Sequence, residues 1–135
     1  NNDGKLDNLI SSGIIWMQGE SDAEHSQEPA DAYLTNLNRL MDLFRAAISK
    51  NGLPVIIGKI NDSHIYADGA PTQPYISTVH LAQETFTKTD PRAGDVKDIE
   101  SYNFLTDAWH YDTDGFIKMG QAFARSALEL ELHCK

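Results

Sequence analysis

A run of adjoining apolar residues near the middle of the chain constrains the fold more than any other feature. Residues 53–60 carry Val55-Ile56-Ile57 without a polar interruption, and Pro54 stands where a strand would begin. A continuous run of this length is typical of a strand that is covered on both faces, as the strands of parallel sheets are. The run therefore predicts a buried strand of a parallel sheet.

Strand and helix patterns alternate along the rest of the chain. Residues 13–17 are predicted to form an apolar strand, and residues 96–101 a more polar one. Apolar side chains recur at three- and four-residue spacings in three other segments, which predicts helices over 30–49, 75–88 and 112–132. This alternation favours the α/β class with a parallel sheet.

The length of the chain, 135 residues, suits a single domain spanning residues 1–135. The first predicted strand is already as apolar as a central strand would be, although a sheet rarely begins in its middle. We therefore expect the chain to be the C-terminal part of a domain. Its N-terminal strands would come from a preceding part of the same protein or from a second chain.

Composition excludes several kinds of partner. With 20 acidic and 11 basic residues the net charge is -9, which repels nucleic acid and anionic membranes. No segment approaches the roughly 20 apolar residues of a membrane span. The single cysteine, Cys134, excludes a thiolate cluster, and neither a His-x-x-x-His spacing nor a glycine-rich phosphate loop is present. We expect no metal and no cofactor.

Polar residues directly follow the first predicted strand, in the segment Trp16-Met17-Gln18-Gly19-Glu20-Ser21-Asp22. The carboxyl ends of parallel strands are where open α/β sheets bind ligands. The Gln18 amide and the Gly19 backbone N–H could both donate hydrogen bonds to a developing oxyanion. The segment is therefore a candidate site for acyl transfer.

A second polar segment, Asp107-Ala108-Trp109-His110, stands just before the last predicted helix. A carboxylate three residues ahead of a histidine can accept the Nδ1 proton and leave Nε2 free to act as a base. An isolated pair of this kind more often caps a helix or lies on the surface. Together with the oxyanion donors of the first segment, however, the pair favours a hydrolytic site.

These two segments resemble a known family. The first resembles the Trp-x-Gln-Gly-Glu-x-Asp block of the sialate O-acetylesterase and acetylxylan esterase branch of the SGNH hydrolases. The second, with Gly115 and Gly120 after it, resembles the final Asp-x-x-His block of that superfamily. The resemblance implies a flavodoxin-like three-layer α/β/α sandwich. It also implies roles for four residues: His110 as general base, Gln18 as oxyanion donor, and either Asp107 or Glu20 as the acid of the triad.

The nucleophile of this family is a serine in a Gly-Gln-Ser-Asn or Gly-Asp-Ser block, and the chain contains no such block. The serine is therefore expected outside this chain. Ser21 is the alternative, because Gly19-Glu20-Ser21-Asp22 superficially imitates a Gly-Asp-Ser turn. The Gln-Gly-Glu context and the small number of preceding strands argue against it.

The resemblance predicts a serine-dependent carbohydrate O-acetylesterase acting on sialate- or xylan-type acetyl esters, with a small-molecule or polysaccharide substrate. Trp16 and Trp109 adjoin the two blocks and are candidates for stacking on a sugar ring, although packing inside the protein suits them equally well. The other four histidines are expected to be exposed or on helix surfaces. The alternative function is a non-catalytic carbohydrate-binding or interaction domain on a hydrolase-like fold.

Overall fold

The computed structural model describes residues 4, 10–48, 51–61, 65, 68–96, 99–106 and 110–133. These residues form three strands: β1 (Ile14–Trp16), β2 (Val55–Gly58) and β3 (Ala93–Val96). They also form four α-helices: α1 (Glu20–Glu24), α2 (Gln27–Ala47), α3 (Ile76–Thr89) and α4 (Thr113–His133). A 3-10 turn, Ile99–Ser101, follows β3. No helix in the described part of the chain is long and apolar enough to cross a membrane.

The three strands form one parallel sheet in the order β1-β2-β3. In its register, Ile15 lies opposite Ile56, and Ile56 lies opposite Gly94. All four residues of the central strand β2 are buried. The apolar run at residues 53–60 thus corresponds to the middle strand of the described sheet, and the predicted α/β class is confirmed.

Helices cover both faces of the sheet. On one face, α2 and α3 pack against Val55 and Ile57 of β2. On the other face, α4 packs against Ile56 and Val96, with Met119, Ala122 and Phe123 supplying its buried side chains. The sheet therefore lies between two helical layers, which confirms the predicted flavodoxin-like three-layer arrangement.

The predicted third strand was placed wrongly. Residues 96–101 were expected to form it, but β3 ends at Val96 and residues 99–101 form the 3-10 turn. A Cβ at Gly94 would lie 3.4 Å from Ile56 Cδ1 and 3.9 Å from Leu130 Cδ2. Close packing against this strand depends on a residue without a side chain, so no apolar run marks it in the sequence. Helix α1 was also not predicted.

The direction of α4 decides where its N-terminal end lies. Leu130 lies near Gly94, early in β3, whereas Phe123 lies against Gly58, the last residue of β2. Helix α4 therefore runs opposite to the strands. The ten residues between Phe123 and Thr113 extend about 15 Å at 1.5 Å per residue. Its N-terminal end consequently lies beyond the carboxyl edge of the sheet.

Candidate active site

The carboxyl end of β1 leads directly into the first candidate segment. Gln18 is half-buried, and its Nε2 atom donates a hydrogen bond to Asp22 Oδ2 at 3.0 Å. Asp22 belongs to α1, so the helix that follows the segment holds the amide group. This contact orients the Gln18 side chain with its nitrogen towards the carboxylate.

The backbone of Gln18 is held by two buried side chains from other helices. The Tyr33 hydroxyl donates to the Gln18 carbonyl oxygen at 2.6 Å, and Gln83 Nε2 donates to the same oxygen at 3.1 Å. The Tyr33 hydroxyl also accepts hydrogen bonds from Trp16 Nε1 at 3.4 Å and from Gln83 Nε2 at 3.3 Å. A phenol hydroxyl can donate one hydrogen bond and accept two, so the Tyr33 hydroxyl makes every hydrogen bond available to it.

The protonation state of Tyr33 suits this network. Burial raises the pKa of its hydroxyl above the ordinary value, while the hydrogen bonds from Trp16 and Gln83 partly offset the rise. The negative charges of Asp22 and Glu20 raise the pKa further. The hydroxyl therefore keeps its proton at neutral pH and can donate it to the Gln18 carbonyl.

Gly19 makes the turn between β1 and α1 possible. Its φ of +139° is a conformation that residues with a side chain rarely adopt. A Cβ at this position would lie 2.9 Å from Val79 Cγ1 and 3.1 Å from Tyr33 Cε2. Both the backbone conformation and the close packing therefore require glycine.

Replacing Gly19 by alanine should destabilise the protein. Strain at such a φ and overpacking against Val79 together should lower the free energy of unfolding by about 3 kcal/mol. Gly120→Ala is a matched control, because a Cβ at Gly120, in α4, would meet no neighbouring side chain within 4 Å. Alanine there should raise the free energy of unfolding by up to about 1 kcal/mol. Denaturant unfolding of both variants measures the difference, and equal stabilities would contradict the prediction.

His110 is far from Gln18 in the sequence but lies at the same edge of the sheet, because it precedes the N-terminal end of α4. Its exposed side chain precedes α4, and its carbonyl oxygen accepts a hydrogen bond from Leu105 N at 2.7 Å. The next residue, Tyr111, is buried and stacks on Phe104 with ring centroids 4.3 Å apart. Asp112 Oδ1 accepts from Gly115 N at 2.6 Å, in the first turn of α4. The backbone at His110 is therefore held in place by its well-packed neighbours.

The other predicted site residues fall into two groups. Asp107 and Trp109 lie outside the described residues. Glu20 is half-buried and begins α1, one residue before the exposed Ser21. Ser21 is thus helical, unlike a nucleophile held on a tight strand-to-helix turn.

Trp16 is half-buried and lines a pocket of about 80 Å³ together with Gln18, Asp22 and Tyr33. Its ring belongs to the wall of this pocket, next to the Gln18 side chain. In the part of the chain that the structure describes, no group of three or more His, Cys, Asp or Glu residues is placed to hold a metal ion.

Comparison with known proteins decides the family. Residues 4–129 match the model of a family described as carbohydrate esterase, sialic acid-specific acetylesterase. The chain belongs to this esterase family. The match confirms the resemblance to the sialate O-acetylesterase branch that the two polar segments carry.

A solved structure supports the fold of this chain. The X-ray structure of a protein from Arabidopsis thaliana is similar to it, with a TM-score of 0.71 and 25% sequence identity. The similarity covers 87% of this chain but 44% of the Arabidopsis chain. The chain thus spans less than half the length of that protein. Among curated proteins, none matches it.

Sequence reasoning missed three residues that contact Gln18 in the candidate site. Asp22 belongs to the first polar segment and Tyr33 lies within the predicted helix 30–49, but the sequence predicts no site role for either. Gln83 was not noted at all, although it is 1% exposed and lies on the buried side of α3, four residues after Val79. A glutamine on an otherwise apolar helix stripe was the available signal.

The structure describes the side-chain surroundings of two of the histidines that are expected on the surface. The His25 side chain is 70% exposed, as expected for a surface residue. His80 is half-buried, and its Nε2 lies 2.6 Å from the Ile60 carbonyl oxygen. His80 thus binds the backbone just after β2, which gives it a structural role.

Proposed function

We propose that this chain supplies the base and the oxyanion donor of a carbohydrate O-acetylesterase. The proposal is supported by the position of Gln18 and Gly19 at the same edge of the sheet as His110, in a chain of the carbohydrate esterase family. Gln18 and Gly19 follow β1 at its carboxyl end, and His110 precedes α4 beyond the same edge. Chemistry at this edge is typical of open α/β sheets.

In the proposed reaction a serine hydroxyl attacks the acetyl carbonyl carbon, and His110 Nε2 takes the serine proton. The carbonyl oxygen becomes an oxyanion. When the tetrahedral intermediate collapses, the ester C–O bond breaks, and His110 returns the proton to the departing sugar oxygen. Water then hydrolyses the acetyl-serine by the same route and releases acetate. Asp107 or Glu20 accepts the hydrogen bond from Nδ1.

The oxyanion donors in this proposal are the Gln18 amide and the Gly19 N–H. An amide nitrogen carries two protons, and the bond to Asp22 uses one of them. The second proton can therefore point at the oxyanion. Donors held in place before the reaction stabilise the transition state more than mobile ones, because no reorganisation is needed as charge develops.

The serine itself is proposed to come from a polypeptide segment that pairs with β1. No described strand lies beside the outer edge of β1. Ile15 is 66% exposed, whereas Ile56, its neighbour in the register, is 3% exposed. A further parallel strand with its helix would cover this surface and would end at the same edge as Gln18. That strand would belong to a preceding part of the protein or to a second chain.

The sugar is expected to meet the aromatic residues beside the two blocks. Trp16 lines the pocket next to Gln18, and Trp109 adjoins His110 in the sequence. Indole rings pack well on the apolar faces of sugars. We propose sialate- or xylan-type acetyl esters as the substrate class; the family match supports the sialate type, and the resemblance of the first block supports both.

Acetate release combined with covalent labelling of the complete protein tests this function. We expect acetate from acetylated sialic acid or acetylated xylan, and a fluorophosphonate probe should label a serine outside residues 1–135. A label on Ser21 would instead favour a nucleophile within the chain. Sugar binding without acetate release or labelling would reject the esterase and support the non-catalytic binding domain.

A further inference from the structure

We infer that Asp22, Tyr33 and Gln83 are positioning residues that set the direction of both oxyanion donors. This inference rests on the proposed function and adds to it the residues that prepare the donors. The three side chains come from three different helices, α1, α2 and α3, and each makes one contact with Gln18.

The backbone donor is set through the peptide bond that joins Gln18 and Gly19. The Gln18 carbonyl and the Gly19 N–H belong to one planar trans unit and therefore point in opposite directions. Tyr33 and Gln83 both donate to the carbonyl oxygen, at 2.6 Å and 3.1 Å. By holding the oxygen towards the core, they turn the Gly19 N–H away from Tyr33 and Gln83.

The side-chain donor is set separately by Asp22. Because Asp22 accepts from Gln18 Nε2, the amide nitrogen and the amide oxygen cannot exchange places without losing this hydrogen bond. A carboxylate offers only acceptors to the amide. The remaining Nε2 proton therefore has a defined direction.

The network is anchored to a second strand, which limits its movement. Gln83 Oε1 accepts a hydrogen bond from Ile60 N at 3.4 Å, just after β2. Gln83 is 1% exposed and Ile60 is fully buried. Gln83 thus ties the carboxyl ends of β1 and β2 together, and the donors are supported by the core rather than by an exposed loop.

Substitutions of Asp22 in the complete enzyme test the side-chain half of this inference. Asp22→Ala should lower kcat for an aryl acetate about tenfold, with little change in KM, because small misplacements of catalytic groups reduce rates strongly. Asp22→Asn keeps an acceptor oxygen and should therefore retain most of the wild-type activity. In a Gln18→Ala background, Asp22→Ala should cause no further loss, because its effect passes through the Gln18 side chain.

Asp31→Ala is the matched control. Gln27 Nε2 donates to Asp31 Oδ1 at 2.7 Å with the same four-residue spacing, but on the exposed surface. We expect no change in kcat for this variant. If Asp22→Ala lowered kcat equally in the wild-type and Gln18→Ala backgrounds, the effect would be purely structural. That result would overturn the role of Asp22.

Tyr33→Phe tests the backbone half. Removing the hydroxyl should also lower kcat about tenfold, by releasing the Gln18 carbonyl. In contrast to Asp22→Ala, this loss should persist in the Gln18→Ala background, because the Gly19 N–H is still misplaced. An active wild-type enzyme with an unaffected Tyr33→Phe variant would overturn the inference and leave the proposed function intact. A wild-type enzyme without esterase activity would overturn both.

Discussion

Replacement of His110 by alanine is expected to abolish hydrolysis of an aryl acetate by the complete protein. Loss of the general base in a serine hydrolase lowers kcat by about 10⁴-fold or more, because neither the serine nor the leaving group then exchanges its proton efficiently. The effect should lie in kcat, since His110 is proposed to act on the reacting atoms. Steady-state kinetics with an aryl acetate measures it.

The fold should survive this substitution. The His110 side chain is exposed, and the contact that holds its backbone, from Leu105 N to the His110 carbonyl, is kept by alanine. Thermal unfolding should therefore be unchanged within a few degrees. His25→Ala is the control for removing an exposed histidine, and it should retain full activity. Turnover by His110→Ala at more than about one tenth of the wild-type rate would reject the role of His110 as general base.

Replacement of Gln18 by alanine should lower kcat by about 10²- to 10³-fold, which is the usual effect of removing one oxyanion donor. The carbonyl contacts from Tyr33 and Gln83 involve the backbone and remain possible in the variant. The Gly19 N–H should therefore stay in place and account for the residual activity. Steady-state kinetics that gives kcat and KM separately tests this, because a loss in kcat with an unchanged KM indicates that the donor acts in the transition state.

Two further variants sharpen this measurement. Gln18→Glu keeps the size of the side chain but replaces the donor by a carboxylate facing Asp22, so its loss should be at least as large. Gln27→Ala removes the exposed glutamine of the Gln27–Asp31 pair and should leave activity unchanged. Equal activities of Gln18→Ala and the wild type would contradict an oxyanion role for Gln18.

The parts of the fold that the sequence predicted correctly are those with local patterns. Val55, Ile56 and Ile57 adjoin in the chain, and this run by itself indicates a covered strand. The helices α2 and α4 repeat their apolar side chains every three or four residues. Gln18 and Gly19 were placed at the carboxyl end of a strand because they directly follow an apolar run.

Other parts depend on contacts between distant residues and could not be predicted in this way. Gln83 is 65 residues from Gln18, and their hydrogen bond exists because α3 packs beside the end of β1. The burial of Gln83 carries no local sequence pattern beyond a polar residue on an apolar stripe. Likewise β3 was misplaced because Gly94 provides close packing without any side chain of its own.

The outer edge of β1 has a practical consequence for anyone who produces this polypeptide by itself. Among the described residues, no strand pairs with the outer edge of β1, and Ile15 adds an exposed apolar side chain there. An open strand edge is a template for association with another copy. Edge-to-edge pairing of two copies would then compete with the strand that we propose to lie beside β1. If the proposed strand is correct, coproduction with the polypeptide that carries it should give a monodisperse sample, whereas residues 1–135 alone should associate.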